Sequence, residues 1–235
     1  MMDTSSKNFH GIVLVSGGMD SCVTAALAQK EGCAAFLHVD YNQRTEARER
    51  LAFNKIADYY NIPVPLRKII NLDHLRVIGH SALTDNSIPV PKFEKLEECG
   101  EGEIPITYVP FRNAHILCIA VSLAETLGAR RIYIGAVAED SAGYPDCRPE
   151  FYDAFNRLVQ VGSKAGGNLR IVAPLIKMSK KEIVQKGMEL NAPLHLTWSC
   201  YEQSEKACGH CDSCLRRLRA FHEAGVEDPI PYENI

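Results

Sequence analysis

Two short stretches hold most of the residue types that do chemistry in a folded protein. Ser16-Gly17-Gly18-Met19-Asp20-Ser21 directly follows a short apolar run and precedes a helix-compatible stretch. A buried strand feeding a helix through such a turn leaves free backbone N–H groups pointing one way, at the positive end of the helix dipole. Gly17 and Gly18 have no Cβ and let the backbone come close to an anion, while Ser16 and Ser21 add hydroxyl donors. Asp20 would repel a bare anion, so it implies a metal ion or a hydrogen bond that holds the loop. No Lys follows the glycines, which excludes the G-x-x-x-x-G-K-[ST] phosphate loop. The second stretch carries Cys200, Cys208, Cys211 and Cys214 as C-x7-C-x2-C-x2-C. Four thiolates with no open position suit one structural Zn²⁺, with bonds of about 2.3 Å. An iron–sulfur cluster uses the same ligand number and stands as the alternative. His210, inside the turn, offers a substitute ligand.

Two further segments are chemically loaded. Arg112 and Asn113 open an apolar helix, where an anion would sit. Residues 135–150 follow a strand end and gather Asp140, Tyr144, Asp146 and Arg148 among turn residues. They offer an aromatic face, carboxylates to accept from a guanidine-like N–H edge, and a guanidinium to clamp a carboxylate.

The elements that position these residues follow from periodicity. Strands are expected at Ile12–Val15, Cys33–Val39, Val64–Ile70, Arg131–Val137 and Leu169–Ala173. Helices are expected over Met19–Lys30, Glu46–Tyr60, Arg112–Leu127 with Gly128 as cap, Phe151–Val161, Ser179–Leu190 and Asp212–Ala224. This alternation predicts an α/β fold, a doubly wound parallel sheet with its ligand site at the carboxyl ends of the strands. Residues 1–196 form the expected nucleotide-binding domain and 197–235 a zinc-binding subdomain packed on it. The proline-rich, acidic segment 79–110 has little periodicity and reads as a functional loop, a lid over the site.

Composition narrows the classes. The chain has 235 residues, 46% hydrophobic and 23% charged, with a net charge of −3. That is a globular composition with no global basic field to attract nucleic acid. The opening MMDTSSKNFH has no apolar core, and no run is long enough to span a membrane. Nine cysteines in such a chain point to a reducing, cytoplasmic setting, with thiols as metal ligands or core residues.

The order Ser-Gly-Gly-x-Asp-Ser after an N-terminal strand resembles the pyrophosphate loop of the PP-loop ATP-pyrophosphatase superfamily. Within it, residues 10 to about 232 resemble the 7-cyano-7-deazaguanine synthase family of queuosine precursor synthesis. The resemblance rests on Ser16–Ser21, Asp40-Tyr-Asn-Gln-Arg44, Val109-Pro-Phe-Arg-Asn113, Gly143-Tyr-Pro-Asp-Cys-Arg148, and Thr197-Trp-Ser-Cys200 with the cysteine turn. Asn42, Thr45, Phe111 and Ala142 stand where that family commonly has Gly, His, a smaller residue and Ser.

The resemblance implies an ATP-dependent ligase, a homodimer, that converts 7-carboxy-7-deazaguanine and ammonia to the nitrile through an amide. It implies that Val15, Ser16, Gly17, Gly18, Met19, Asp20, Ser21, Cys22, Val23 and Thr24 bind the phosphates, with Mg²⁺ neutralising pyrophosphate. Asp20 positions the loop or metal. Arg112 and Arg148 stabilise the carboxylate or developing phosphate charge. Asp140 and Asp146 accept from the base edge, and Tyr144 stacks on it.

Other classes remain. A PP-loop enzyme acting on tRNA would bring a basic surface. An amidotransferase of the GMP- or NAD-synthetase kind would need a glutaminase. A nucleotide-sensing module would bind without forming AMP. A protein-conjugating relative would share every motif.

Overall fold

The computed structural model describes residues 9–99, 104–139 and 143–233. Its centre is a five-stranded parallel sheet of β1 (Phe9–Leu14), β2 (Cys33–Asp40), β3 (Arg67–Asn71), β4 (Arg131–Tyr133) and β5 (Arg170–Val172). The strand order is β3-β2-β1-β4-β5. The chain therefore runs outward from β1 to β3, then returns to the other side of β1 for β4. The crevice outside the carboxyl ends of β1 and β4 lies where the winding reverses, the usual ligand position in open α/β sheets.

The central strands are apolar because both sheet faces are covered. Ile12, Val13, Phe36, Leu37 and Ile132 have no exposed surface. Each such side chain contributes about 1.5–3 kcal/mol on burial. The helices are α1 (Met19–Glu31), α2 (Glu46–Tyr59), α3 (His74–Ile78), α4 (Arg112–Leu127), α5 (Pro149–Gly162), α6 (Lys180–Glu189) and α7 (Asp212–Glu223). α4 and α5 pack on one face, with Leu117, Ala120, Ala124, Phe155 and Val159 against Ile12, Leu37 and Ile132. On the other, α1 and α2 place Cys22, Ala25, Phe53 and Ile56 against Val13 and Phe36. α4 stops at Gly128, whose φ of 69° suits a residue without Cβ. α6 starts at a complete capping box between Ser179 and Glu182.

Three expected strands are shorter than their apolar runs. Val64–Leu66 is a 3₁₀ turn rather than the start of β3, because Pro65 lacks an N–H to donate to a ladder. β4 ends at Tyr133. Beyond it Ile134 N–H still donates to the Val172 carbonyl at 3.0 Å, but the chain then turns past α1. β5 keeps only Arg170–Val172 of its expected five residues.

The C-terminal residues pack on this sheet layer. Trp198, Cys200, Cys208, Cys211 and Cys214 share a core with Ala52 of α2 and with Ala82 and Val90 of the long loop. Ala220 and Phe221 of α7 meet Val23 and Val137. Arg217 of α7 is 2% exposed and grips the covered Asp228 carboxylate through two nitrogens at 2.7 and 2.9 Å.

The long loop is tied down over its described length. Arg44 donates from Nε to the Ala82 carbonyl at 2.6 Å and from Nη2 to the carbonyls of Asp85 and Ile88. Ala82 N–H donates to Ile106, and Phe93 N–H to His210, at 2.8 and 2.9 Å. No helix among the described residues is long and apolar enough to cross a membrane.

Candidate active site

β1 delivers the chain to the switch point and α1 takes it away, so the glycine turn lies at the base of the crevice. Gly17 has φ +92°, and a Cβ there would sit 2.7 Å from the Glu49 carbonyl oxygen. Only glycine fits that dihedral and that approach. Gly18 precedes α1 with extended backbone. Ser21 Oγ donates to the Gly18 carbonyl at 2.9 Å and accepts from Ser16 Oγ at 3.1 Å, closing the turn on itself. The first helical N–H groups have no intrahelical acceptor, and Met19, Asp20 and Ser21 line the crevice. Gly135, just beyond β4, passes so close that a Cβ would lie 2.8 Å from Asp20 C and Ser21 N. A glycine outside the loop thus shapes it.

The crevice encloses about 330 Å³. Of the expected phosphate ligands, Val15, Ser16, Gly18, Met19, Asp20 and Ser21 line it. Gly17 backs onto α2 instead. Cys22, Val23 and Thr24 have no exposed surface. They lie past the first turn of α1, where the helical period carries them into the core, and the Cys22 N–H is already spent on the Gly18 carbonyl. Burial pushes the Cys22 thiol up to about 12, as expected of an apolar packing residue.

Arg112 lines the opposite wall. It donates to the Tyr41 hydroxyl at 3.2 Å, and its guanidinium carbon is 5.5 Å from that ring's centroid. Burial alone would lower its pKa, yet Tyr41, Asp146 and Cys147 around it hold it above its ordinary value, so it is a permanent cation. Tyr144 also lines the crevice, its hydroxyl 2.8 Å from Thr107 Oγ1.

The other residues of that loop take different places. Asp146 is 3% exposed and not on the wall. Its Oδ2 accepts from Asn113 N–H at 2.9 Å, and its carbonyl accepts from Asn113 Nδ2 and the Tyr152 hydroxyl. It caps α4 and so orients Arg112. Arg148 is exposed at the start of α5, away from the crevice, because the extended backbone before Pro149 turns it outward. Asp140 lies outside the described residues.

Several wall residues were not among the expected site residues. Lys180 pairs with Asp20 at 2.8 Å, so the acidic residue of the loop meets a cation 160 positions away in sequence. Tyr41, Gln43, Glu49, Trp198, Arg216 and Arg217 also line the crevice. The Ser179 capping box marks where α6 begins, which is the only sequence signal for Lys180. Under the site, His38 bridges the Val15 carbonyl (2.8 Å) and Asp40 (3.0 Å), and Arg50 also binds Asp40. Burial alone would raise the Asp40 pKa; the hydrogen bonds from His38 and Arg50 outweigh it and hold the carboxyl low. Asn42 takes a φ of 61°, a left-handed conformation that asparagine tolerates and glycine favours.

The four cysteines form a closed centre. Their sulfurs lie within 4.8 Å of one another, and each residue is at most 3% exposed. The Cys208 and Cys214 sulfurs are 3.9 Å apart. A tetrahedral ion with bonds of 2.3 Å has sulfur–sulfur edges of about 3.8 Å. Backbone N–H groups of Gln203, Cys208 and Cys211 point at the sulfurs at 3.3–3.4 Å, which favours thiolates. His210 is outside the set. The centre is joined to the glycine turn through Trp198, whose N–H donates to the Gly17 carbonyl at 2.8 Å. The Arg48 guanidinium covers the Trp198 ring at 4.2 Å.

The chain is similar to known proteins along most of its length. The family described as queuosine biosynthesis protein QueC matches residues 10–225. A 7-cyano-7-deazaguanine synthase of Acidobacterium capsulatum is 53% identical over 96% of this chain and 97% of its own length. One from Koribacter versatilis is 55% identical over 94% and 92%. Among solved structures, an NMN synthetase from Francisella tularensis superposes with a TM-score of 0.47 at 14% identity, covering 93% of this chain and 87% of its own. By its full-length similarity and its glycine turn at the switch point of a parallel sheet, the chain belongs to the QueC family of queuosine biosynthesis proteins.

Proposed function

We propose that this protein uses ATP to convert 7-carboxy-7-deazaguanine and ammonia into 7-cyano-7-deazaguanine. The observation that carries the reading is one crevice shared by the glycine turn and Arg112. A carboxylate resists attack by ammonia until its oxygen becomes a leaving group. The turn's N–H groups bind the β- and γ-phosphates, which leaves the α-phosphorus open to the carboxylate oxygen. Transfer of AMP expels pyrophosphate; ammonia then displaces AMP and leaves the amide. A second adenylation, on the amide oxygen, allows loss of AMP and leaves C≡N.

In this reading Arg112 steadies the substrate carboxylate, Tyr144 stacks on the base, and Lys180 holds Asp20 in place and meets phosphate charge. Asp20 would hold Mg²⁺, which supplies charge neutralisation at the pyrophosphate. The buried cysteine quartet would hold one structural Zn²⁺. The reading extends to a cytoplasmic homodimer; Val77 and Val161, 86% and 84% exposed, are apolar side chains suited to a subunit contact.

Mass spectrometry of the purified protein with ATP, Mg²⁺, ammonium and 7-carboxy-7-deazaguanine tests the proposal. Nitrile formed with about two AMP per turnover is expected. AMP without nitrile would point to another acceptor, and no AMP from folded, zinc-loaded protein would sink the reading.

A further inference from the structure

Ammonium reaches the site as a cation and has no lone pair until it loses a proton. The crevice contains a carboxyl that the motifs do not mark. Glu49 of α2 lines it, and its backbone carbonyl touches Gly17 of the phosphate turn. Its carboxylate is fixed from two sides. Thr45 Oγ1 donates to Oε1 at 2.9 Å, and Gln43 Nε2 donates to Oε2 at 3.0 Å. The Gln43 amide cannot flip without loss, because its Oε1 accepts from Tyr41 N–H at 2.8 Å. Both carboxylate oxygens therefore act as acceptors, each with a lone pair left over.

Among the described residues no Lys or Arg comes within ion-pair distance of this carboxylate. The charged and titratable groups that face it are His38 of β2, Tyr41 after it and Arg112 of α4. Burial raises its pKa above the ordinary carboxylate value, toward the range where a carboxylate acts as a base.

We propose that Glu49 is the catalytic base that receives ammonium beside the phosphate turn and takes its proton. The inference rests on the reaction proposed above. Ammonium gives one proton to a Glu49 oxygen. The freed lone pair forms the C–N bond at the acyl carbon, and the C–O bond to AMP breaks, with AMP leaving on its electron pair. The excess proton on nitrogen passes to solvent, and Glu49 returns its own proton to solvent before the next turnover.

The test compares ammonium with hydroxylamine, which is mostly unprotonated at neutral pH, in wild type, Glu49→Gln and Glu49→Asp. For Glu49→Gln, amide formation from ammonium is expected to fall about 100-fold or more. Hydroxamate formation should stay within about tenfold, and the KM values for ATP and 7-carboxy-7-deazaguanine should be unchanged. Equal losses with both nucleophiles, or a loss expressed as a raised KM for the deazaguanine, would overturn the assignment in favour of a packing or base-edge role. Should Glu49→Gln fail to fold, the same ammonium-selective loss in Glu49→Asp decides. A wild type that forms no AMP sinks the proposed function itself; an active wild type with a non-selective Glu49 variant sinks this inference alone.

Discussion

At the glycine turn two residues without Cβ shape the backbone, and about 330 Å³ is left open beside it. At the cysteine turn the four sulfurs face each other, each residue at most 3% exposed. The first region is open to a ligand; the second is closed around a space that would fit one ion. They are nevertheless joined, since Trp198, two residues before Cys200, donates its N–H to the Gly17 carbonyl. α7, which begins beside Cys211, also brings Arg216 and Arg217 to the crevice wall. The closed centre therefore sets part of the shape of the open one.

Removing the proposed metal breaks this comparison hardest. Chelation, or Cys211→Ser, takes away on the order of 10 kcal/mol of metal-binding free energy. The segment from Thr197 onward should lose its fold, and ATP affinity should fall with it as Gly17 loses its partner. Thermal unfolding and ATP titration, with and without chelator, check this. Unchanged ATP affinity in chelated protein would show that the two regions are independent.

Gly135→Ala sharpens the comparison from the other side. Its Cβ would meet the backbone of Asp20 and Ser21 at 2.8 Å, at a cost of about 1–3 kcal/mol. ATP binding should weaken while bound zinc stays at one per chain. Gly167→Ala, whose Cβ meets nothing within 4 Å, is the control and should leave both readouts alone.

The smallest effect is pH-dependent and lies beneath the open region. The Asp40 carboxyl is held low in the folded protein, so its contribution is complete above the unfolded carboxylate value of about 3.9. It is lost as pH falls through the lower folded value. Asp40→Asn should cost about 1.5 kcal/mol at neutral pH, and the gap to wild type should shrink on acidification below about pH 4. Denaturant unfolding at several pH values measures it. A gap that stays constant with pH would mean that His38 and Arg50 do not depend on the Asp40 charge.

The two motifs were legible because each is local. Ser16 to Ser21 and Cys208 to Cys214 fit within one turn of chain, so spacing alone fixes which atoms meet. The five parallel strands were legible for a similar reason, since buried strands read as apolar runs. The walls of the crevice were not. Lys180 meets Asp20 across 160 positions, and Glu49 looks like any charged residue on a helix surface until Gly17 packs against it. In sequence, residues 135–150 read as one segment whose polar side chains gather at the site. The fold separates them: Tyr144 faces the crevice, Asp146 caps α4 and Arg148 faces outward.

By itself, the sequence determined the class of fold, the glycine turn and the clustering of the four cysteines, because periodicity and short spacings act within a few residues. Only the tertiary structure decided which polar side chains face the ligand. Side-chain direction depends on where each element stops, and that depends on packing: β4 ends at Tyr133 and lets Gly135 pass under Asp20, a helix start puts Lys180 opposite the same carboxylate, and a proline turns Arg148 away.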